Sequence, residues 1–371
     1  MSERHNELRC LIAAGGTAGH VLPSLAVAEA LRERGVRVTF AGSPDRVEAS
    51  LVPEAGYELD TFEISGFPRR PSVALLRALL TAGRAPRACA AILKRRQPDV
   101  VLGGGGYVAG PMIFAAWRRK VPAALTEADA HLGLANRLAA PFARRVFLAY
   151  GIPGRDGAKY RVTGRPVPAA HHATTQAEGR RRFGLPPDGP AIAFFGALAG
   201  ARSLNEFAVE TYGQAGPAVL HLSGARDYER LRGLVHRDDY VLVSSTTEFG
   251  AALAAPDLAV SRAGGTVWEL AAAGTPSILV PYPHATSDHQ TLNARHFQRG
   301  GGAVVVPEAE LDRVPALVEE LLADRTRLEA MRAAMLAMAR PEAAAVIAEE
   351  LIGLASRPWR GFPGAGPEGT V

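Results

Sequence analysis

The stretch "LRCLIAAGGTAGHVLPSLAVAEALRERGVRVTFAG", residues 8–42, decides the fold class. Its first eight residues are mostly apolar and predict a buried strand. Residues 20–34 have the apolar spacing of a helix, which ends at Gly35, and residues 36–42 predict a second strand. A strand, a helix and a strand in this order form a βαβ unit with parallel strands. The sequence therefore predicts an α/β protein.

Two series of such units follow each other along the chain. Five prolines and a charged segment lie between residues 150 and 190, which is the composition of a connector. At 371 residues the chain also exceeds the length at which a single core stops growing. We therefore predict two doubly wound, Rossmann-like domains that face each other across a cleft, with ligands beyond the carboxyl ends of the strands. The further strands are predicted at residues 99–104, 122–127, 144–149, 160–164, 190–198, 218–224, 240–245, 257–265, 276–282 and 302–307.

Charge and composition exclude several classes of protein. The formal net charge is +5, but three lysines stand against 39 arginines, a bias typical of a GC-rich genome, so no nucleic-acid partner is predicted. Cys10 and Cys89 lie in apolar stretches far apart, which predicts buried thiols and neither a disulfide nor a zinc site. The charged amino terminus lacks an apolar signal segment, which predicts a cytoplasmic protein. Prolines interrupt both long uncharged stretches, residues 100–117 and 270–287, so neither is predicted to span a membrane.

Two glycine-rich loops of the first half follow predicted strands. Residues 13–23, "AAGGTAGHVLP", open a helix, so backbone N–H groups and the positive helix end could converge on an anion; an ordinary glycine turn is the alternative. The loop is not G-x-G-x-x-G, and no acid follows at the distance that a ribose contact needs, which argues against a dinucleotide. Residues 101–111, "VLGGGGYVAGP", hold four adjacent glycines, whose entropic cost favours a flexible binding loop that another molecule approaches closely.

The stretch "SRAGGTVWE", residues 261–269, has the chemistry of a nucleoside diphosphate site. Gly264 and Gly265 allow backbone N–H groups to reach a phosphate, and Thr266 adds a hydroxyl at the start of a helix. Glu269, one turn into that helix, could accept hydrogen bonds from both hydroxyls of a ribose. The alternative is that Glu269 only complements the helix dipole.

The loop after the next predicted strand is rich in side chains that recognise sugars. Residues 281–294, "PYPHATSDHQTLNA", can present many hydrogen-bonding groups at once to sugar hydroxyls. In the alternative interpretation Asp288 caps a helix and its neighbours are solvated. The side chains concerned are those of His284, Asp288, His289, Gln290 and Asn293.

These motifs occur together, and in order, in one known family. "GGTAGHVLPSLAVAEAL", "GGGGYVAGPM", "TEADAHLGLANRLAA", "VTGRPV", "GARSLNE", "SRAGGTVWELAAAG" and "PHATSDHQTLNA" lie between residue 8 and about residue 310. The chain in this respect resembles the MurG family, transferases that add N-acetylglucosamine (GlcNAc) to the lipid-linked muramyl-pentapeptide precursor of peptidoglycan. The resemblance implies the GT-B architecture, UDP-GlcNAc as donor, lipid I as acceptor, lipid II as product and no cofactor.

The resemblance also implies a role for each domain and for named residues. Residues 1–163 would form the acceptor-binding, membrane-associating domain and residues 164–357 the UDP-GlcNAc-binding domain; proline and glycine in residues 358–371 predict a disordered tail. Glu269 would hold the ribose, Phe249 would line the uracil pocket, and His289 with Gln290 would hold the donor sugar. Donor-binding residues would be Gly16, Thr17, Gly19, Arg165, Phe249, Gly264, Gly265, Thr266, Glu269, His289, Gln290 and Asn293. The acceptor would meet Gly104, Gly105, Gly106, Tyr107 and Asn136, and Gly16, Thr17 and His20 would border the same side.

Some positions depart from the family pattern. A serine and a glutamine are replaced by Leu198 and Ala199, which cannot supply the same hydrogen bonds. Pro168 stands where the family often has an arginine, and Arg165 is a candidate to replace its charge. In "TEADAHLG" the usual histidine, glutamine and asparagine are Thr126, Ala128 and Asp129.

An inverting transfer needs a base for the acceptor hydroxyl and stabilisation of the departing diphosphate. We expect His20 to be the base, because an imidazole titrates near neutral pH, with Asp129 as second choice. The alternative is that His20 only orients a loop or a phosphate. No metal is predicted, since glycine amides and a helix dipole can take the diphosphate charge and the "EAD" run at 127–129 offers too few ligands.

The acceptor is lipid-linked, so we expect peripheral attachment to the cytoplasmic face of the cell membrane. Residues 71–97 combine leucines with arginines, and Trp117 adjoins three cations, a pattern that suits an anionic inner membrane surface. An ordinary amphipathic helix packed on the sheet is the alternative. Proteins of wall synthesis or cell division are possible further partners.

Three rival functions remain open at this point. A UDP-GlcNAc epimerase of the same fold would need several carboxylates around the sugar, and the loops offer few. A nicotinamide-dependent oxidoreductase would bind NAD. A binding-only homologue is suggested by the replaced serine, glutamine and arginine.

Overall fold

The computed structural model describes residues 7–64, 73–196 and 200–356. The chain divides into two compact units. The first contains the residues up to Pro166 and those from Glu342 onward, and the second contains Val167–Pro341. The side chains of residues 73–80, 82 and 286 lie outside the description, as do Leu198, Ala199 and the tail predicted for residues 358–371.

The first unit is built on a parallel sheet. Its strands are β1 (Arg9–Ala14), β2 (Arg37–Gly42), β3 (Glu58–Thr61), β4 (Val100–Gly105), β5 (Ala123–Glu127), β6 (Arg145–Leu148) and β7 (Tyr160–Val162). They pair in the order β3-β2-β1-β4-β5-β6-β7, and every pair is parallel. The sequence analysis predicted all of these strands except β3.

Helices cover both faces of this sheet because side chains alternate along each strand. The helices are α1 (Ala18–Glu33), α2 (Glu48–Glu54), α3 (Val73–Arg96), α4 (Ala109–Arg118), α5 (Leu134–Ala139) and, from the end of the chain, α14 (Ala343–Ala355). Ile12 and Phe40 point to the core shared with α1, whereas Leu11 and Ala41 point to the core shared with α3 and α4. Cys10 and Cys89 belong to these two cores as free, buried thiols, which confirms that prediction.

The second unit repeats the plan with six parallel strands. They are β8 (Ala191–Phe195), β9 (Ala218–Leu222), β10 (Tyr240–Val243), β11 (Leu258–Ser261), β12 (Ser277–Leu279) and β13 (Ala303–Val305), in the order β10-β9-β8-β11-β12-β13. All six were predicted. Its helices are α6 (Gln176–Phe183), α7 (Arg202–Tyr212), α8 (Ala225–Leu231), α9 (Phe249–Ala254), α10 (Thr266–Ala273), α11 (His289–Arg299), α12 (Val314–Ala323) and α13 (Arg325–Met338).

In both sheets the direction of the strand order reverses once, and ligands of such sheets bind at that point. The chain moves outward from β1 in one direction and from β4 in the other, so the loops after β1 and β4 diverge at the carboxyl end of the sheet. The same reversal lies between β8 and β11 in the second unit. A crevice opens where neighbouring connections leave on opposite faces of a sheet. Each unit therefore carries its glycine loops where a parallel sheet receives ligands.

The last helix differs from the expected domain boundary. Residues 164–357 were assigned to one domain, but α14 packs against α1 of the first unit. Ile347 and Leu351 of α14 are fully buried in the core that contains Ile12 and Phe40. An apolar face on a helix predicts that the helix packs against a core, but it does not predict which of two similar sheets provides that core. The sequence therefore could not assign α14 to one of the two units.

No helix within the described residues is long and apolar enough to cross a membrane.

Candidate functional site

His20 lies on the first turn of α1, directly after the loop that follows β1. The helix begins at Ala18 with Thr17 as its N-cap residue, and Thr17 Oγ1 lies 3.3 Å from His20 Nδ1. The imidazole is therefore oriented from its own loop, at the carboxyl end of β1.

The surroundings of His20 favour the neutral imidazole. Burial is the main cause that lowers the pKa of His20 below its ordinary value of 6.5, and the Arg165 guanidinium lowers it further. The Asp129 and Glu48 carboxylates and the Gly15 carbonyl oppose that shift. A neutral imidazole can accept a proton. Asp129, the other predicted base candidate, lies close enough to act on the pKa of His20.

Arg165 lies near the end of the first segment of the first unit and contacts the loop after β1. Its Nη2 donates to the Gly19 carbonyl at 2.6 Å, and the residue is buried. The guanidinium thus acts on the loop after β1 and on His20. Pro168, where the family often has an arginine, precedes a 3-10 turn at Ala169–His171 in the second unit.

The glycine run after residue 101 has a different cause from the one expected. Its glycines up to Gly105 are part of β4, and other parts of the same chain lie close against them. A Cβ atom on Gly104 would lie 2.0 Å from Ser24 Oγ, and one on Gly106 would lie 2.1 Å from the Gly15 carbonyl oxygen. The expectation of a flexible binding loop is corrected here: these residues allow α1 and the loop after β1 to pack directly on β4. Gly105 likewise leaves room for the His20 ring, 2.4 Å from where its Cβ would be.

Glu48 is a site residue that the sequence analysis missed. It is fully buried at the start of α2, and its carboxylate accepts hydrogen bonds from Gly16 N–H and Ser43 N–H, each at 2.9 Å. An internal acid therefore fixes the loops after β1 and β2 together, and the Gly16 N–H expected to face a ligand donates to it. No local pattern marks such a residue, because its partners come from other turns of the chain.

A second buried acid organises the loop after β5. Glu127 accepts hydrogen bonds from Asn136 Nδ2 and Gly133 N–H, both at 2.9 Å, and from Asp129 N–H at 3.2 Å. Burial raises the pKa of Glu127, and these donors only partly offset it. Asn136, predicted to meet the acceptor, also donates to the Thr126 carbonyl, so its amide group shapes this loop from a buried position.

Tyr107 is the most exposed of the predicted acceptor residues. Its side chain is 51% accessible, directly after β4. An aromatic ring open to solvent beside the His20 loop is available to stack on a sugar or on an apolar group.

In the second unit, the turn between β11 and α10 has the predicted form. Gly264 and Gly265 precede α10, which begins at Thr266 and carries Glu269 in its first turn. A Cβ atom on Gly264 would lie 3.9 Å from Gln290 Nε2, so the turn and α11 come close together. The amino end of α10 lies at the carboxyl end of β11, beside the strand-order reversal between β8 and β11.

Glu269 and Phe249 are joined by a residue that the sequence analysis did not single out. Glu269 Oε1 lies 3.1 Å from His171 Nδ1. The His171 ring meets the Phe249 ring edge to face, with centroids 5.4 Å apart. The predicted ribose and uracil residues therefore share one neighbour, which lies in the connector just after the division between the units.

The loop after β12 is tied to the turn before α10. Tyr282 N–H donates to Gln290 Oε1 at 2.9 Å, and the buried Asn293 donates to the Ala263 carbonyl at 3.2 Å. His289 begins α11 beside Gln290, as the sugar-binding prediction requires. Asp288 is the N-cap residue of α11, but its side chain accepts from Thr291 Oγ1 at 2.6 Å and makes no capping hydrogen bond to a backbone N–H, contrary to the helix-capping alternative.

Arg262 is a second residue of this region that the prediction missed. Its guanidinium donates to the Val280 carbonyl at 3.2 Å and to Ser203 Oγ at 2.7 Å, and it pairs with Glu308. Arg262 thus connects the ends of β11 and β12 with the first turn of α7. In the sequence Arg262 is only an arginine near the end of a predicted strand, and nothing near it predicts these contacts.

Within the described residues, no group of three or more histidine, cysteine, aspartate or glutamate side chains is arranged to hold a metal ion.

Comparison with known proteins identifies the two domains of one glycosyltransferase family and relatives that match over nearly the whole chain. The glycosyltransferase family 28 N-terminal domain matches residues 10–148, and the C-terminal domain of that family matches residues 191–349. The chain is similar to the UDP-N-acetylglucosamine–N-acetylmuramyl-(pentapeptide) pyrophosphoryl-undecaprenol N-acetylglucosamine transferase of Halothermothrix orenii, with 35% identity over 354 residues, 90% of this chain and 95% of the relative. The enzyme of that name from Halorhodospira halophila is 40% identical over 355 residues, 92% of this chain and 97% of the relative.

A solved structure agrees with these relatives. The crystal structure of MurG from Acinetobacter baumannii matches with a TM-score of 0.72 and 26% identity, over 93% of this chain and 99% of that chain. This match confirms the predicted GT-B fold class. Since relatives of such identity extend over nearly the whole sequence, the chain belongs to the MurG family of glycosyltransferases.

Proposed function

We propose that this protein is an inverting glycosyltransferase that moves GlcNAc from UDP-GlcNAc to the 4-hydroxyl of the muramyl sugar in lipid I, giving lipid II for peptidoglycan synthesis. The observation that carries the proposal is the similarity to transferases of this name over about nine tenths of the chain. The placement of both sets of glycine loops at strand-order reversals supports it.

The second unit binds the donor in this proposal. The N–H groups of Gly264 and Gly265 and the hydroxyl of Thr266 stabilise the diphosphate, and Glu269 accepts from the ribose hydroxyls. Phe249 packs against the uracil, while His289 and Gln290 bind the GlcNAc hydroxyls. The charge that develops on the departing UDP is stabilised by amides already fixed in place.

The first unit binds the acceptor and supplies the base. Tyr107 and the loops after β1, β4 and β5 hold the muramyl sugar, and His20 takes the proton from its 4-hydroxyl. The hydroxyl oxygen bonds to the anomeric carbon as the bond from that carbon to the UDP oxygen breaks. Attack from the opposite face gives a β-linked disaccharide, free UDP and a proton on His20.

Transfer of radiolabelled GlcNAc from UDP-GlcNAc to a short-chain analogue of lipid I tests the activity. Labelled disaccharide product, absent without the acceptor, is the expected result. Epimerised sugar nucleotide without transfer would favour the epimerase, and UDP binding without either product would favour a binding-only homologue. A thermal shift with NAD but none with UDP would favour the oxidoreductase.

Attachment to an anionic membrane surface is supported by one side of the first unit. Leu134 and Leu138 of α5 are 61% and 65% accessible and flank the exposed Arg137. Neighbouring α4 ends in the exposed cations Arg118, Arg119 and Lys120. Exposed leucines beside cations suit peripheral binding at a lipid headgroup layer.

The predicted lipid-facing helix gives only part of this surface. Val73, Leu76, Arg77, Leu79 and Leu80 lie outside the described side chains. In the described part of α3, Arg84 and Arg87 are exposed, whereas Ile92 and Leu93 pack in the core, as the alternative interpretation expected.

Two further cations of α3 are engaged within the unit. Arg95 and Arg96 pair with Asp60 of β3 at 2.7 and 2.6 Å. The Trp117 ring packs at a tilt against the rings of Phe114 and Phe142.

Co-sedimentation with vesicles tests the attachment. Binding is expected to increase with the anionic lipid fraction and to decrease with salt, because headgroup charge attracts the cations. Binding that ignores both variables would contradict the proposal.

A further inference from the structure

His171 and Glu269 form a contact that is built from three elements of the second unit. His171 ends the 3-10 turn Ala169–His171, Glu269 lies on α10, and Phe249 begins α9. The side chains of His171 and Glu269 are only 14% and 12% accessible. The contact is therefore largely shielded from water, where a hydrogen bond to a charged group is stronger than at the surface.

The direction of this hydrogen bond follows from the acid. An ionised carboxylate only accepts, so Nδ1 of His171 carries the hydrogen that faces Glu269 Oε1 at 3.1 Å. One carboxylate has about four acceptor positions, and His171 uses one of them. The remaining positions can accept from hydroxyl groups.

The backbone of the 3-10 turn is fixed independently of this contact. Gly250, the second residue of α9, has no side chain at the point where the turn crosses it. A Cβ atom there would lie 2.1 Å from the Ala170 carbonyl oxygen and 2.8 Å from His171 Cα. The turn thus packs backbone to backbone on α9, which holds the imidazole against both Phe249 and Glu269.

We propose that His171 is a positioning residue for donor binding: it anchors one oxygen of Glu269 so that the carboxylate is already aimed at the ribose hydroxyls when UDP-GlcNAc arrives. The inference rests on the proposed function, which assigns the ribose contact to Glu269. Without His171, the Glu269 side chain is free to rotate until the donor binds. Binding then carries the entropic cost of ordering that side chain, so donor affinity falls.

Titration calorimetry with UDP on three variants tests the anchor. His171→Ala is expected to raise the Kd for UDP about tenfold, the effect of losing one hydrogen bond to a charged group. His171→Asn keeps an N–H donor near the position of Nδ1 and is expected to recover most of the affinity. His172→Ala, which changes the exposed neighbouring histidine, is expected to leave the Kd unchanged.

A modified ligand separates positioning from a general structural effect. With 2′-deoxy-UDP, which lacks one of the two hydroxyls, the difference between wild type and His171→Ala is expected to shrink to about twofold or less. In turnover assays the KM for UDP-GlcNAc is expected to rise in His171→Ala, with kcat and the acceptor KM within about twofold of wild type. Thermal unfolding of each variant identifies any that fail to fold, and His171→Asn then carries the comparison.

The possible outcomes distinguish this inference from the proposed function. If wild-type protein does not bind UDP, the proposed function itself is wrong. If wild type binds UDP and Glu269→Ala weakens binding, but His171→Ala binds normally, only the anchor is wrong. Tighter binding by His171→Ala would also overturn it, because His171 would then be competing with the ribose for Glu269.

Discussion

The carboxylates of Glu48, Glu127 and Glu269 are partly or fully buried, and they differ in the groups that donate hydrogen bonds to them. Glu48 and Glu127 accept from backbone N–H groups and so fix the loops of the first unit. Glu269 instead meets a side chain, His171, and keeps acceptor positions for other donors. The chemical type of a residue is thus less informative than the groups that surround it.

Glu269→Ala is expected to raise the KM for UDP-GlcNAc by one to two orders of magnitude. The variant loses roughly 1.5 to 3 kcal/mol of hydrogen bonding to a charged acceptor. Steady-state kinetics with varied donor measures the change, and Glu329→Ala, on an exposed part of α13, is the matched control. Unaltered donor affinity in Glu269→Ala would remove the ribose assignment.

His20 is expected to give the reaction its acidic limb. Because the folded protein lowers the pKa of His20 below 6.5, the base form predominates at neutral pH, and kcat/KM rises with pH only below that value. His20→Ala is expected to lower kcat about 100-fold or more at saturating donor and to abolish that limb. A profile recorded between about pH 5 and 8 measures both.

Arg165→Gln tests the direction in which the pKa of His20 is shifted. Its guanidinium lowers the pKa of His20, so its removal raises that pKa and moves the acidic limb to higher pH. A limb that stays in place, or an unchanged rate in His20→Ala, would contradict the assignment of His20 as the base.

At the scale of elements, α1 packs closely on β4 in the part of the first unit that we propose binds the acceptor. Such packing requires residues without side chains at the contact, and the glycines after residue 102 meet this requirement. The run looks like a loop in the sequence because glycine is unusual within strands. Its position beside α1 shows instead that a backbone approaches closely.

Gly106→Ala tests this packing. Its Cβ would meet the Gly15 carbonyl at 2.1 Å, and Gly106 has a φ of +76°, which L-residues rarely adopt. We expect a loss of about 2 kcal/mol or more in the free energy of unfolding, measured by urea titration, together with a large loss of activity. Gly110→Ala, at a position on α4 with nothing within 4 Å, is the control and is expected to leave stability unchanged or slightly higher. Equal stability of the two variants would contradict the packing argument.

At the scale of the whole molecule, the end of the chain completes the first unit. The buried face of α14 shares the core of α1 and β1, and ion pairs of Glu349 with Arg34 and of Glu350 with Arg145 flank it. The first unit is therefore assembled from both ends of the sequence. Its stability depends on residues that lie beyond the whole second unit.

Leu351→Ala is expected to destabilise the first unit by about 2 to 5 kcal/mol, because a fully buried leucine is replaced in a close-packed core. Hydrogen exchange measured by mass spectrometry reports this as faster exchange in peptides of β1 and α1. Gly353→Ala, two residues along the same helix and without close neighbours, is the control. Faster exchange confined to peptides of the second unit would show that α14 does not stabilise the first.

Much of the fold was available from local sequence patterns. Apolar runs gave twelve of the thirteen strands found in the described residues, since buried parallel strands have a strong composition signal. β3 was missed because "ELDT" alternates charge with small and apolar residues and lacks such a run. The placement of Glu269 one turn into a helix after two glycines also followed from local pattern.

The sequence by itself determined the fold class, the two-unit plan and the family, because these follow from periodicity and motifs over short stretches. Only the tertiary structure decided that Glu48 accepts from Gly16, 32 residues away, that His171 contacts Glu269, 98 residues away, and that α14 joins the first unit. The physical reason is range: strand and helix patterns act between near neighbours, whereas a hydrogen bond or a core contact depends on distance in space, which only the folded chain sets.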